Sequence, residues 1–222
     1  PEYGLTGGLH SLDPLEIEHW LANVQVGNAY VNRHITGAVV QRQPFGGWKR
    51  SSIGGGSKPG GPSHLHTYGR WIPRDLDRAR AYADFDRAWL VRFSQELDPT
   101  GLACERNALR YHRLDGVVVR TELEGTAYDV LQAAAETTGT PVIWSDPRTE
   151  SDAELAALLG SLGVERLRLL APASDELLTA AHAVGVAVDR QPVTDLGDVE
   201  LPRWLKEQAI SVTRHRHGRL LR

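Results

Sequence analysis

The sequence predicts an α/β fold whose second part is a doubly wound, mostly parallel sheet. From Val117 onward, short apolar runs of strand length alternate with amphipathic stretches of helix length. Parallel strands need such crossovers, and the crossing helices cover both faces of the sheet. The part before it has another texture: one well-capped helix, then a glycine-rich run from Arg33 to Leu65 with no sustained period. A run of that length is too long for an ordinary connector.

Asp13 can cap the first helix. Pro14 suits the first helical position, Glu16 completes a capping-box-like arrangement, and Ile17, Trp20, Leu21 and Val24 share a face. Gly27 is expected to end it, and Ala29-Tyr30-Val31 reads as a strand. In the run that follows, Gly46-Gly47, Gly54-Gly55-Gly56 and Gly60-Gly61 permit unusual dihedrals and close approach to a ligand or another chain. A flexible linker is the alternative, but Val39, Val40, Phe45, Trp48 and Ile53 are too apolar for one, so an ordered, functional loop is expected. Pro73 to about Leu97 reads as a long helix with Leu76, Ala79, Ala83, Leu90 and Phe93 near one stripe.

After an irregular segment at Asp98-Pro99-Thr100-Gly101, a strand is expected near Leu109-Arg110-Tyr111. Strands at Val117–Val119, Pro141–Trp144, Leu167–Leu170, Val186–Val188 and Ile210–Val212 then alternate with helices at Thr126–Thr138, Asp152–Leu162, Asp175–Val184 and Pro202–Glu207. The expected division is a first segment over residues 1–70 and a Rossmann-like second domain over 71–222.

Composition bounds the function classes. With 222 residues, 41% hydrophobic and 24% charged, the chain is of ordinary globular type. A formal charge of -3 gives no global attraction to nucleic acid or an anionic membrane. No stretch approaches the roughly 18 apolar residues of a spanning helix, and the start lacks the succession of a signal peptide, so a cytoplasmic protein is expected. A single cysteine, Cys104, excludes redox chemistry by cysteine pairs. The chain begins at Pro1, contains no Met, and its first residues look like the interior of a fold; a fragment with its front missing is the expectation. The end, Arg214-His215-Arg216-His217-Gly218-Arg219, lacks the ligand number and spacing of a metal site and reads as a solvated tail or docking strap.

The segment Tyr30-Val31-Asn32-Arg33-His34-Ile35-Thr36-Gly37-Ala38-Val39-Val40-Gln41-Arg42-Gln43-Pro44-Phe45-Gly46-Gly47-Trp48-Lys49-Arg50-Ser51 resembles the aldehyde-anchoring region of the 1-pyrroline-5-carboxylate (L-glutamate gamma-semialdehyde) dehydrogenases. Many of these are bifunctional proteins of the proline utilization A type. Pro-Phe-Gly-Gly recurs across aldehyde dehydrogenases, whereas its combination with Asn-Arg-x-x-Thr-Gly-Ala and Gln-Arg-Gln is far more specific. Tyr3-Gly4-Leu5-Thr6-Gly7-Gly8-Leu9-His10-Ser11 extends the match over about the first sixty-five residues. The resemblance implies the end of an aldehyde dehydrogenase catalytic domain, acting on an aldehyde with an amino-acid head. Gly37 and Ala38 would hold the substrate carboxylate through backbone N–H groups, which suit an anion. Phe45 would be the flat wall on which the aliphatic chain packs, although composition alone makes it a core aromatic. His34 stands where the family commonly has glycine, and a His tolerates positive φ better than most residues.

The implied chemistry needs a thiolate, a hydride acceptor and an activated water. Cys104 lies outside the motif, so the nucleophile and the NAD site are expected upstream, as is FAD where a proline dehydrogenase domain precedes them. After Val119 comes Arg120-Thr121-Glu122-Leu123-Glu124-Gly125-Thr126, without a glycine fingerprint and with two carboxylates that would repel a pyrophosphate. No residue of this chain is therefore expected to be catalytic, to bind cofactor or to ligate metal. Glu105–Tyr111 and Glu207–Thr213 resemble the C-terminal support domain of the long proteins of this type. A pairing strand near Leu65–Tyr68 and homo-oligomerisation are further implications. The alternatives are a non-catalytic interaction or structural module, or a nucleotide binder lacking the usual fingerprint.

Overall fold

The computed structural model describes residues 1–220 apart from 41, 53–54, 70, 73–74 and 217–218. Gln41, Ile53, Gly54, Pro73, His217 and Gly218, which enter the sequence expectations, lie outside the described residues. The strands in chain order are β1 (Tyr3–Gly4), β2 (Thr6–Leu9), β3 (Asn28–Val31), β4 (Trp48–Lys49), β5 (Glu105–Arg113), β6 (Val117–Arg120), β7 (Val142–Ser145), β8 (Arg166–Leu169), β9 (Ala187–Asp189), β10 (Leu205–Thr213), β11 (His215–Arg216) and β12 (Arg219–Leu220). The α-helices are α1 (Pro14–Asn23), α2 (Arg78–Ala88), α3 (Gly125–Thr138), α4 (Asp152–Leu159), α5 (Asp175–Ala183) and α6 (Gly197–Glu200). Among the described residues no helix is long and apolar enough to cross a membrane.

The chain forms two compact units, and they are not the segments 1–70 and 71–222. The first unit is Pro1–His64 with Ser94–His112 and Glu207–Arg222; the second is Leu65–Phe93 with Arg113–Lys206. The first unit is discontinuous because two of its sheet strands come from late in the sequence.

That sheet has the order β2-β3-β10-β5. β3 lies inside it, parallel to β2 on one side and to β10 on the other, with Ala209, Ile210, Ser211 and Val212 opposite Asn28, Ala29, Tyr30 and Val31. All four residues of β3 are buried. The run Ile210–Val212, expected to continue the second domain's sheet, therefore belongs to the first unit. An apolar run fixes that a strand is buried but not which sheet buries it.

Helix α1 covers the sheet with the predicted stripe: Trp20, Leu21 and Val24 pack against Ala29, Ala108 and Ile210. Asp13 caps it, accepting the Leu15 N–H at 2.9 Å. The capping box is not completed by Glu16, whose carboxylate takes the Ser11 hydroxyl, while Ser11 Oγ accepts the Asp13 N–H at 3.0 Å. The helix stops before Val24. Gly27 serves packing, since a Cβ there would fall inside the Gly46 carbonyl.

In the second unit β7-β6-β8-β9 are all parallel, as predicted. Val118, Leu167 and Leu169 of the strands pack with Leu155, Leu159, Leu177 and Ala181 of α4 and α5. Helix α3 ends at Gly139, whose φ of 65° is the left-handed cap glycine favours. The long helix expected over 73–97 is shorter: Asp77 accepts the Arg80 N–H, α2 runs to Ala88, and a π-turn occupies Trp89–Phe93. Leu97 lies beyond it, bridging to Leu109. The helix expected over Pro202–Glu207 is α6 followed by a 3-10 turn at Leu201–Trp204, after which β10 begins. His64–Tyr68 is a 3-10 helix, not a strand.

Candidate functional site

The loop leaving β3 turns at Asn32, whose φ is 57°. Its side chain clasps Ser11 twice, accepting from the backbone N–H at 3.0 Å and donating to the carbonyl at 2.8 Å. The left-handed residue is thus Asn32; His34, the departure expected to need such freedom, is exposed and has no positive φ. Gly37 does need it: its φ is 77°, while a Cβ there would meet nothing within 4 Å, so dihedral and not space demands glycine. Gly37 and Ala38 are exposed, and among the described residues no acceptor takes either N–H.

The next residues pin this turn. Val39 N–H donates to Gln43 Oε1 at 2.8 Å, and Gln43 N–H donates to the Val39 carbonyl at 2.9 Å. Gln43 is buried, and its amide donates to Asn107 Oδ1 at 2.8 Å and to Ser211 Oγ at 3.2 Å. Arg33 and Arg42, which flank the turn in sequence, share Glu105 at 2.7 and 2.8 Å, and Arg33 also donates to Ser211 Oγ. Two guanidiniums on one carboxylate leave a positive balance beside the loop. Glu105, Asn107 and Ser211 lie in the two segments that resemble a support domain, yet in the structure they brace the loop that carries Gly37 and Ala38.

Phe45 follows on the same loop. It is 39% exposed, which excludes the core role that composition alone suggests. Its backbone is fixed on both sides: Phe45 N–H donates to the Pro59 carbonyl at 3.0 Å, and Asn28 Nδ2 donates to the Pro44 carbonyl at 3.0 Å while Asn28 Oδ1 accepts the Gly46 N–H at 3.1 Å. Beneath it Lys58, 1% exposed, donates to the Gly46 carbonyl and sits 3.4 Å from Asn28 Oδ1. Burial pushes the Lys58 ammonium down to about 7, against an upward pull from Glu207, whose carboxylate accepts the Lys58 backbone N–H at 2.9 Å. Trp48 is buried and donates Nε1–H to the Glu207 carbonyl at 2.7 Å. Sequence reasoning missed Asn28, Lys58 and Glu207. A lysine between Ser57 and Pro59 carries no sign of burial, whereas Gln43 was visible as part of Gln-Arg-Gln.

At the carboxyl ends of β6 and β8, where parallel sheets of this kind place ligands, the second unit is closed by its own ion pairs. Buried Arg120 donates to Ser145 Oγ at 2.7 Å and to the Glu150 carbonyl at 2.9 Å, and pairs with Asp152 at 2.6 Å. Glu124 lies beside it in sequence, held by Arg148 at 2.6 Å. These residues do not fit an NAD pyrophosphate, which would meet carboxylates where it needs backbone N–H groups. Cys104 is exposed. Among the described residues no group of three His, Cys, Asp or Glu side chains is placed to hold a metal.

Gly37 and Ala38 thus present two N–H groups unengaged among the described residues, in an exposed turn braced by buried amides and followed by an exposed aromatic, a donor arrangement that could receive an anion. Residues 1–71 match the model described as the aldehyde dehydrogenase family. The more particular likeness is to Proline Utilization A (PutA). The solved PutA of Corynebacterium freiburgense is 38% identical with a TM-score of 0.81, covering 99% of this chain and 24% of that one. The bifunctional protein PutA of Rhizobium meliloti is 32% identical over 157 residues, 61% of this chain and 13% of the relative. The 1-pyrroline-5-carboxylate dehydrogenase of Bacillus subtilis is 50% identical over 64 residues, 29% of this chain and 12% of the relative. The chain thus spans only a small part of the curated relatives it matches.

Proposed function

We propose that this chain supplies the substrate-holding end of an NAD-dependent dehydrogenase that oxidises L-glutamate gamma-semialdehyde, formed from 1-pyrroline-5-carboxylate, to L-glutamate. The observation that carries the reading is the pair of unengaged N–H groups at Gly37 and Ala38, in a positive-φ turn held from behind by Gln43. They receive the carboxylate, helped by the positive balance of Arg33 and Arg42 over Glu105, and Phe45 confines the aliphatic chain so that the aldehyde is presented at a fixed distance. NAD, when bound, accepts the hydride. Its site and the nucleophilic thiolate belong, in this reading, to parts of the relatives that this chain does not span, together with FAD where a proline dehydrogenase domain is present. The second unit is read as a support domain in a cytoplasmic, homo-oligomeric enzyme.

The test is kinetic, in the intact dehydrogenase that carries this segment. Gly37→Trp and Phe45→Ala are expected to raise KM for the semialdehyde about tenfold or more, equivalent to about 1.4 kcal/mol of lost binding, and to leave KM for NAD unchanged. Unaltered kinetics in Phe45→Ala removes the assignment.

A further inference from the structure

We propose, resting on the reading of Phe45 as the substrate wall, that Lys58 is a positioning residue for that wall: its buried side chain clamps the Pro44-Phe45-Gly46 turn and makes the hold on Phe45 depend on pH.

The backbone of this turn is held from three sides. Asn28 takes both ends, donating Nδ2–H to the Pro44 carbonyl at 3.0 Å and accepting the Gly46 N–H at 3.1 Å. The Pro59 carbonyl accepts the Phe45 N–H at 3.0 Å. The Gly46 carbonyl accepts from Lys58 Nζ. Lys58 therefore enters twice: its side chain closes the clamp, and the next residue in the chain receives the wall residue itself. Its own backbone is fixed, the N–H donating to Glu207 at 2.9 Å and the carbonyl accepting the Gly61 N–H at 2.8 Å. Packing leaves no slack around the contact. A Cβ on Gly27, at the entry to β3, would collide with both the Gly46 carbonyl and Lys58 Nζ, and a Cβ on Gly46 would stand 3.2 Å from Lys58 Cγ. Phe45 is 39% exposed, so its place depends on these backbone attachments and not on burial alone.

Both acceptors that Nζ meets among the described residues, the Gly46 carbonyl and Asn28 Oδ1 at 3.4 Å, are uncharged. A neutral amine has two N–H groups and suits two such oxygens. An ammonium adds a third N–H and a full charge, which burial penalises. The surrounding elements bring Tyr30 on β3, Lys49 on β4, His64 on the segment that follows and Glu207 on β10. Of these, Glu207 is the group whose field acts on the ammonium; burial outweighs it and holds Lys58 down to about 7. The arrangement in which Lys58 is buried against the turn is therefore favoured as pH rises through that value, and protonation loosens the clamp.

Kinetics of the intact dehydrogenase that carries this segment test this. Lys58→Met keeps the stem and removes the donors, and KM for the semialdehyde is expected to rise about threefold or more while KM for NAD stays unchanged. Because Lys58 acts through Phe45, the double variant Lys58→Met/Phe45→Ala should match Phe45→Ala alone to within about twofold. A lysine that only stabilises the fold would leave substrate KM unaltered, or add its effect to that of Phe45→Ala; either result overturns the proposal. With Lys58 in place, the factor by which Phe45→Ala raises KM should be about threefold larger at about pH 8.5 than at about pH 6, a ratio in which ionisations common to both proteins cancel. A factor independent of pH overturns the proposal, and this comparison decides if Lys58→Met does not fold. Phe45→Ala without effect removes the wall itself, whereas an effect of Phe45→Ala with none from Lys58→Met removes only the role of Lys58.

Discussion

Lys58, Phe45 and Gly37 each make a separate demand at the residue scale. The Lys58 ammonium is lowered to about 7 in the folded chain, while in the unfolded chain it titrates near 10.5. Between those values the unfolded chain holds a proton that the folded chain has released, so stability rises with pH across pH 7 to 10.5 and the burial penalty is complete below 7. The slope approaches about 1.4 kcal/mol per pH unit at most. Denaturant titrations at several pH values should show this rise, and Lys58→Met should flatten it. Phe45→Ala separates wall from core: a core phenylalanine costs about 3–5 kcal/mol on truncation, whereas a side chain 39% exposed is expected to cost distinctly less while substrate KM rises. Equilibrium unfolding of the same variant used for kinetics checks both. Gly37 was singled out through the family resemblance, and its φ of 77° gives the physical reason that glycine stands there. Lys58 was not, because burial of a charge is decided by what packs over it.

At the scale of elements, local chemistry is strongest where it is self-contained. Ser151 and Glu154 cap α4 reciprocally, Ser151 Oγ accepting the Glu154 N–H at 3.2 Å and Glu154 accepting the Ser151 N–H at 2.8 Å. Ser151→Ala is expected to cost about 1 kcal/mol of stability, read from the urea midpoint. Capping-box reasoning from the sequence failed at Glu16, because Ser11 competed for it, and the helix expected over 73–97 is cut short, because a π-turn at Trp89–Phe93 leaves the α-helical hydrogen-bond ladder while keeping an amphipathic look. The loop that carries Gly37 and Ala38 tests tertiary bracing: Gln43→Ala removes the acceptor for the Val39 N–H and one donor each to Asn107 and Ser211. It should raise substrate KM in the intact enzyme without touching Gly37 or Phe45, and Gln43→Glu should restore the Val39 contact only in part.

For the whole molecule, the expectation is that the chain alone forms no NADH from 1-pyrroline-5-carboxylate and NAD, since its single thiol is exposed Cys104 and the second unit's strand ends are filled by Arg120 and Asp152. NADH formation in a spectrophotometric assay would defeat that reading. The sequence by itself determined the parallel sheet of the second unit and the first helix, because periodicity and caps are written in neighbouring residues, and the glycine-rich motif carried the family resemblance in one contiguous segment. Only the tertiary structure decided that Glu105, Asn107 and Ser211 brace that motif and that β10 pairs with β3. Those facts depend on pairing across more than sixty residues of chain, where a buried strand or charge carries no local mark of its partner.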